Sequence, residues 1–157
     1  MIKSDPKLID ALEKLRKRRK IPYKEYVDTV MELHTKLPDV RPRGAEMARA
    51  RLQISTNRSR IVGIKLVCLR EIADVRRVET RLRDYLYAKY ATFLSQHRNK
   101  RARDAVVSDA LAPLTQRIQP IADVLQIIDT ALTDFDSKGY AIRDSADSMR
   151  LAEREIQ

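Results

Sequence analysis

The stretch IVGIKLVCLREIADVRRVETRLRDYL, residues 61–86, decides the fold. Ile61, Cys68, Val75 and Leu82 recur every seven positions, and Ile64, Ile72, Val78, Tyr85 and Leu86 fill the adjacent face. A seven-residue repeat of this kind is the signature of a long helix that must lay one apolar stripe against a partner. The run around it, from Ala45 to His97, contains no proline and only Gly63. At 1.5 Å per residue, fifty such residues would extend about 75 Å, too far for a small compact domain to cover. The helix therefore needs a long partner.

That partner is expected in the last third of the chain. Val106, Val107, Leu111, Leu114, Ile118, Ile121, Val124, Leu125, Ile128, Leu132 and Phe135 continue a helical stripe, with Pro113 and Pro120 expected to kink or divide it. The segment QHRNKRAR, residues 96–103, falls between the two runs and reads as the turn of an antiparallel hairpin. Upstream, Ser4-Asp5-Pro6 has the form of a helix start, with a capping residue ahead of a first-turn proline. Leu8, Ile9, Leu12 and Leu15 follow at helical spacing, and RKRRK (16–20) closes that helix with cations. Tyr23 to Leu37 forms a second short helix ended by Pro38, and VRPRG (40–44) is a basic linker.

Near the end, Asp136-Ser137-Lys138-Gly139 reads as a helix terminus with glycine in the left-handed position, after which Tyr140 begins a new helix. No stretch alternates like a strand, and the chain has only three glycines and no tryptophan among 157 residues. The expected fold is all-α. Short N-terminal helices (1–40) precede a long helical hairpin (41–137), and a C-terminal helix (138–157) follows.

The formal charge is +10, unevenly spread. Residues 1–103 hold 27 Lys+Arg against 12 Asp+Glu, and residues 104–157 hold 5 against 10. Five basic clusters, RKRRK, RPRGAEMARAR, RSR, RRVETRLR and QHRNKRAR, concentrate the excess in the first two thirds. Each alone is an ordinary solvated helix face. Together they favour a polyanionic partner, because clustered cations displace the counterions of phosphates. Tyr85, Tyr87, Tyr90 and Phe93 follow Arg81 and Arg83, and such rings either stack on unpaired bases or lie in the helix interface. No zinc-finger or basic-zipper pattern supports reading of duplex sequence.

Catalytic chemistry has no such support. His34 and His97 lack a second ligand at helical spacing, no glycine-rich phosphate loop or nucleophile motif is present, and paired acids such as Glu71/Asp74 are commonplace on helices. No cofactor is expected. The lone Cys68 lies in an apolar run and is expected to be a reduced, buried thiol. The charged N-terminus lacks an apolar signal region and no run of 18 apolar residues occurs, so no membrane association and a cytoplasmic location are expected.

The layout resembles the recombination mediators of tailed phages, the UvsY type. The resemblance is densest over residues 124–153, in Ser137-Lys138-Gly139-Tyr140-Ala141-Ile142-Arg143 followed by Asp147-Ser148-Met149-Arg150 and Glu153. It is weaker over residues 45–103 and only general over 1–40. It implies a protein that binds single-stranded DNA and forms a homo-oligomeric ring of six or seven. It also implies help to a recombinase of the RecA type in replacing single-stranded-DNA-binding protein, in the host cytoplasm if phage-encoded. The family's basic-x-basic element ahead of two aromatics corresponds best to Arg81-Leu82-Arg83 before Tyr85 and Tyr87, with arginine in place of lysine and a spacing one residue different. DNA-binding candidates are Arg76, Arg77, Arg81, Arg83, Lys89, Arg98, Lys100, Arg101 and Arg103; oligomerisation candidates are Gly139, Tyr140, Ile142, Met149, Leu151 and Ile156. The competing expectations are a structural coiled-coil or phage assembly protein without DNA binding, and a small basic regulator that prefers duplex DNA.

Overall fold

The computed structural model describes residues 2–18, 21–38, 45–97 and 99–155, with the last four of these in backbone only. The described residues are all-helical, with no strand. After a 3-10 turn at Ile2–Ser4 come α1 (Pro6–Lys17), α2 (Tyr23–Thr35), α3 (Ala45–Lys89), α4 (Ala91–Ser95) and α5 (Lys100–Glu155). The expected basic linker at 40–44 lies outside the described residues. The chain divides into two compact units, and α3 and α5 each contribute one segment to both.

The first unit comprises residues 1–21 and 68–122. Its core is formed by Leu8 and Leu15 of α1, Val75, Leu82 and Leu86 of α3, Leu94 of α4, and Val107, Leu111 and Leu114 of α5. Asp5 starts α1 as expected: its Oδ1 accepts from the backbone N–H groups of Lys7 (2.9 Å) and Leu8 (3.3 Å), with Pro6 behind it. The other end of α1 is tied by a buried acid. Glu71 of α3 receives Arg18 at 3.2 Å and Arg117 of α5 at 3.2 Å, while Arg117 also donates to the Leu15 carbonyl. A buried carboxylate is costly unless paired, and two guanidiniums pair this one. The helix that was expected to run to His97 changes at Tyr90, whose φ of −106° and ψ of 24° separate α3 from α4. The hydrogen-bond ladder nevertheless passes through, from Tyr90 N–H to Leu86 and from Leu94 N–H to Tyr90.

The second unit comprises residues 22–67 and 123–157. It buries Val30 and Leu33 of α2, Met47, Ile54 and Ile61 of α3, and Val124, Ile128, Phe135 and Ile142 of α5. Ion pairs set the register: Arg58 Nε reaches Asp136 Oδ1 at 2.6 Å and Lys65 Nζ reaches Asp129 Oδ1 at 2.7 Å, so α3 and α5 run antiparallel there. His34 of α2 meets Asp134 at 2.7 Å and stands edge-on to Phe135.

Two expectations about α5 are corrected. Pro113 and Pro120 lie inside one helix and do not divide it. Each proline removes a hydrogen bond and costs about 3 kcal/mol in a helix interior. Here both rings are exposed, and the carbonyls they leave without donors, on Asp109 and Gln116, belong to exposed residues where water can serve them. Gly139 does not end the helix either, and no separate C-terminal helix begins at Tyr140, because α5 continues to Glu155. Phe135 and Ile142 are both fully buried on the face that Gly139 shares, and keeping that stripe in register outweighs the roughly 1 kcal/mol cost of a helical glycine.

A Cβ built on Gly139 would sit 3.9 Å from Ile54 Cγ2, an ordinary contact. Gly139→Ala is therefore expected to raise stability by up to about 1 kcal/mol in urea unfolding. A loss of stability would return the glycine to a turn role.

Candidate nucleic-acid interface

The basic residues singled out in the sequence occupy the first unit, on α3 and at the start of α5. Arg76, Arg77 and Arg81 are exposed on α3, and Lys100 and Arg101 are exposed in the first turn of α5; Arg83 and Arg103 are half-buried. Arg98 lies outside the described residues. Asn99 caps α5 through its Oδ1, which accepts from Ala102 N–H at 2.8 Å. The first turn of α5 contains no acid. Cations there oppose the helix dipole, which favours anions at an N-terminus by about 0.3–1 kcal/mol each. Helix stability alone would have placed acids at these positions.

Ion pairing sorts the cations. Arg83 is held by Glu79 at 2.8 Å and Arg77 stands 3.9 Å from Asp74, whereas Arg76, Arg81, Lys100 and Arg101 have no ion pair among the described residues. Arg83 and Arg103 both act electrostatically on Tyr87, whose hydroxyl donates to Asp104. That hydrogen bond comes first among the causes that raise the Tyr87 pKa. The Nε of Arg103 is buried without a hydrogen-bond partner.

Lys89 faces inward. Its ammonium meets Asp5 Oδ2 at 2.6 Å and lies 5.4 and 5.5 Å from the ring centroids of Tyr85 and Tyr90. The Tyr90 hydroxyl donates to the same Asp5 oxygen at 2.9 Å, and that of Tyr85 stands 3.4 Å from it. All four aromatics, Tyr85, Tyr87, Tyr90 and Phe93, pack against the core of this unit. Of the two roles open to them from sequence, the interface role is the one they fill. Nothing in the sequence linked residue 5 to residues 85–90, because the pairing spans eighty positions.

Among the oligomerisation candidates, Ile142 is fully buried in its own unit, so its side chain is not offered to a neighbour. Tyr140, Met149 and Leu151 are exposed, Gly139 is half-buried, and Ile156 lies outside the described residues. Sequence reading missed a second group of arginines. Arg51, Arg58 and Arg143 line one open cleft in the second unit, with Tyr140 beside them. Arg51 and Arg58 are one heptad apart on α3, but no local pattern ties them to residue 143.

Cys68 is free and buried, and burial pushes its thiol pKa upward. Among the described residues no three His, Cys, Asp or Glu side chains come together in a way that could hold a metal ion, and no helix is long and apolar enough to cross a membrane. Compared with known proteins, the chain matches no family model, no curated protein and no solved structure.

Asp5 gives this unit a pH dependence. Burial alone would raise its pKa, but donation from Lys89, Tyr90 and the backbone N–H groups of Leu8 and Lys7 outweighs burial and brings the carboxyl from 3.8 down to about 2. The folded value lies below the unfolded one, so the stabilisation is fully present above about pH 4 and is lost as pH falls through about 2. Asp5→Asn keeps a capping acceptor and removes the charge. Urea unfolding across pH 2–7 should show the variant less stable than the parent at pH 7, with the gap closing toward pH 2; a constant gap would exclude the charge as its source.

Proposed function

We propose that the protein is a non-catalytic recombination mediator that binds single-stranded DNA. In this reading it acts as a homo-oligomer in the cytoplasm and helps load a recombinase of the RecA type onto strands covered by single-stranded-DNA-binding protein. In this scheme the basic segment 96–103, which runs into the first turn of α5, meets the phosphate backbone together with Arg76 and Arg81. The observation that carries this reading is the set of cations left without acid partners, two of them placed against the dipole at the start of α5. The motif around residues 137–150 adds the resemblance to phage mediators.

The aromatics are half-buried against the core of the first unit, and this scheme does not draw on base stacking. Affinity then rests on charge and is strongly salt-dependent. Fluorescence anisotropy with a labelled oligonucleotide over a salt series tests it. Tight binding at low salt is expected, with preference for single over double strands. Replacing Arg76 and Arg81 by Gln should reduce the slope of log affinity against log salt by about 0.7 for each phosphate that is no longer neutralised. No binding at low salt would overturn the proposal, and a preference for duplex would favour the regulator reading.

Assembly falls to the far end of α5, where Met149 and Leu151 are exposed. Ile142 belongs to the core, so a truncation that tests assembly must begin beyond it. Removing residues 147–157 is expected to leave a folded protein of lower mass by light scattering. Its DNA binding should also be weaker, because each copy then holds the strand alone. An unchanged assembly would place the subunit interface elsewhere, and the exposed Leu52, Leu66 and Val67 of α3 are the next surface to test.

A further inference from the structure

The cleft in the second unit has a volume of about 270 Å³ and opens to solvent between α3 and α5. Its apolar floor is made by Ile54 and Phe135, both buried. Three arginines, Arg51, Arg58 and Arg143, line it with a single acid, Asp136. Arg58 is engaged by that carboxylate, Asp136, through Nε at 2.6 Å and Nη2 at 3.4 Å, which fixes its position. Arg51 has no ion-pair or hydrogen-bond partner among the described residues, and Arg143 lies over the ring of Tyr140 at 5.0 Å. A guanidinium above an aromatic ring still has N–H groups to donate to an anion. Two arginines without an ion pair among the described residues thus line the same cleft as one exposed aromatic ring, Tyr140, which is 59% accessible.

We propose that this cleft binds a nucleoside phosphate. Arg51 and Arg143 take the phosphate, whose oxygens suit forked N–H donors, and Tyr140 with the apolar floor takes the base. The volume excludes much larger ligands: binding clefts for drug-sized molecules run from roughly 300 to 1,000 Å³, so this one holds about a single nucleotide unit. Gly139 lies in the lining, and the absence of a side chain there keeps space between the two helices. The ligand is either a free nucleotide or one unit of a strand. The site uses none of the arginines of the first unit and stands or falls apart from the mediator function.

Arginine-specific dicarbonyl modification of the full chain, mapped by mass spectrometry, tests it. Thymidine monophosphate is expected to slow modification of Arg51 and Arg143 while leaving Arg76 and Arg81 at their free rates. Thymidine should not protect, and inorganic phosphate should protect less well. Arg51→Gln and Arg143→Gln, both at exposed positions, should each weaken protection of the remaining arginine by about tenfold, the loss expected for one charge-assisted hydrogen bond to phosphate. Tyr140→Ala should abolish the advantage of thymidine monophosphate over phosphate. A 5′-phosphorylated oligothymidylate separates the sources: protection by it alone assigns the cleft to a strand, and protection by the mononucleotide alone assigns it to a free nucleotide. No protection by either at millimolar concentration overturns the proposal, as does equal protection by phosphate and nucleotide. If the nucleotide protects while anisotropy shows no DNA binding, the mediator reading fails and the cleft stands.

Discussion

A long amphipathic helix cannot bury its own stripe, and everything else in this protein answers that constraint. Ile61, Cys68, Val75 and Leu82 of α3 are all buried, and in each compact unit the cover comes from a segment of α5 together with one short helix, α1 or α2. α5 must therefore stay helical wherever α3 needs covering. Its two internal prolines are accommodated on the exposed face, and its glycine is carried through between Phe135 and Ile142. Local helix penalties of about 1–3 kcal/mol are tolerated because breaking the stripe would expose several large side chains at once, each worth about 1.5–3 kcal/mol.

The short helices are fixed by polar contacts at their ends. α1 is tied at its N-terminus by Asp5, which caps the helix and also receives Lys89 and Tyr90, and at its C-terminus by Arg18 on Glu71 and Asp74. Asp5 is only 1% accessible and Glu71 only 6%, and burying either carboxylate without such partners would be costly. Apolar packing holds α1 down, and the carboxylates fix its register. A one-residue slide would strand both acids away from their donors.

The heptad of α3 and the stripe from Val106 to Phe135 were legible in the sequence because burial along a helix follows a local period. The start of α1 was legible for the same reason, since a cap and its proline are neighbours. Gly139 was misread because its signal is local while the decision is tertiary: glycine takes a left-handed turn only where nothing holds the helix straight, and Phe135 and Ile142 hold it. The aromatics of residues 85–93 could not be assigned for a related reason. Their partners, Asp5 and the core of the first unit, are distant along the chain. The cleft was invisible because Arg51 and Arg143 meet only once α3 and α5 are side by side.

The charge asymmetry gains a more definite meaning from the pairings. The acidic last third is largely spent within the fold: Asp109 meets Lys3, Asp129 meets Lys65, Asp134 meets His34 and Asp136 meets Arg58. These exposed pairs contribute about 0–1 kcal/mol each, so their main effect is on register and on which cations are neutralised. Cations without an ion pair among the described residues include Arg76, Arg81, Lys100 and Arg101 in one unit and Arg51 and Arg143 in the other, but also the exposed Arg16 and Lys17 of α1, Lys24 of α2 and Arg49 of α3. A polyanion approaching the protein would meet fewer free cations than the sequence total implies, because several are held by carboxylates. Net charge governs attraction at a distance, and pairing with a carboxylate lowers what a held cation can offer an anion at contact.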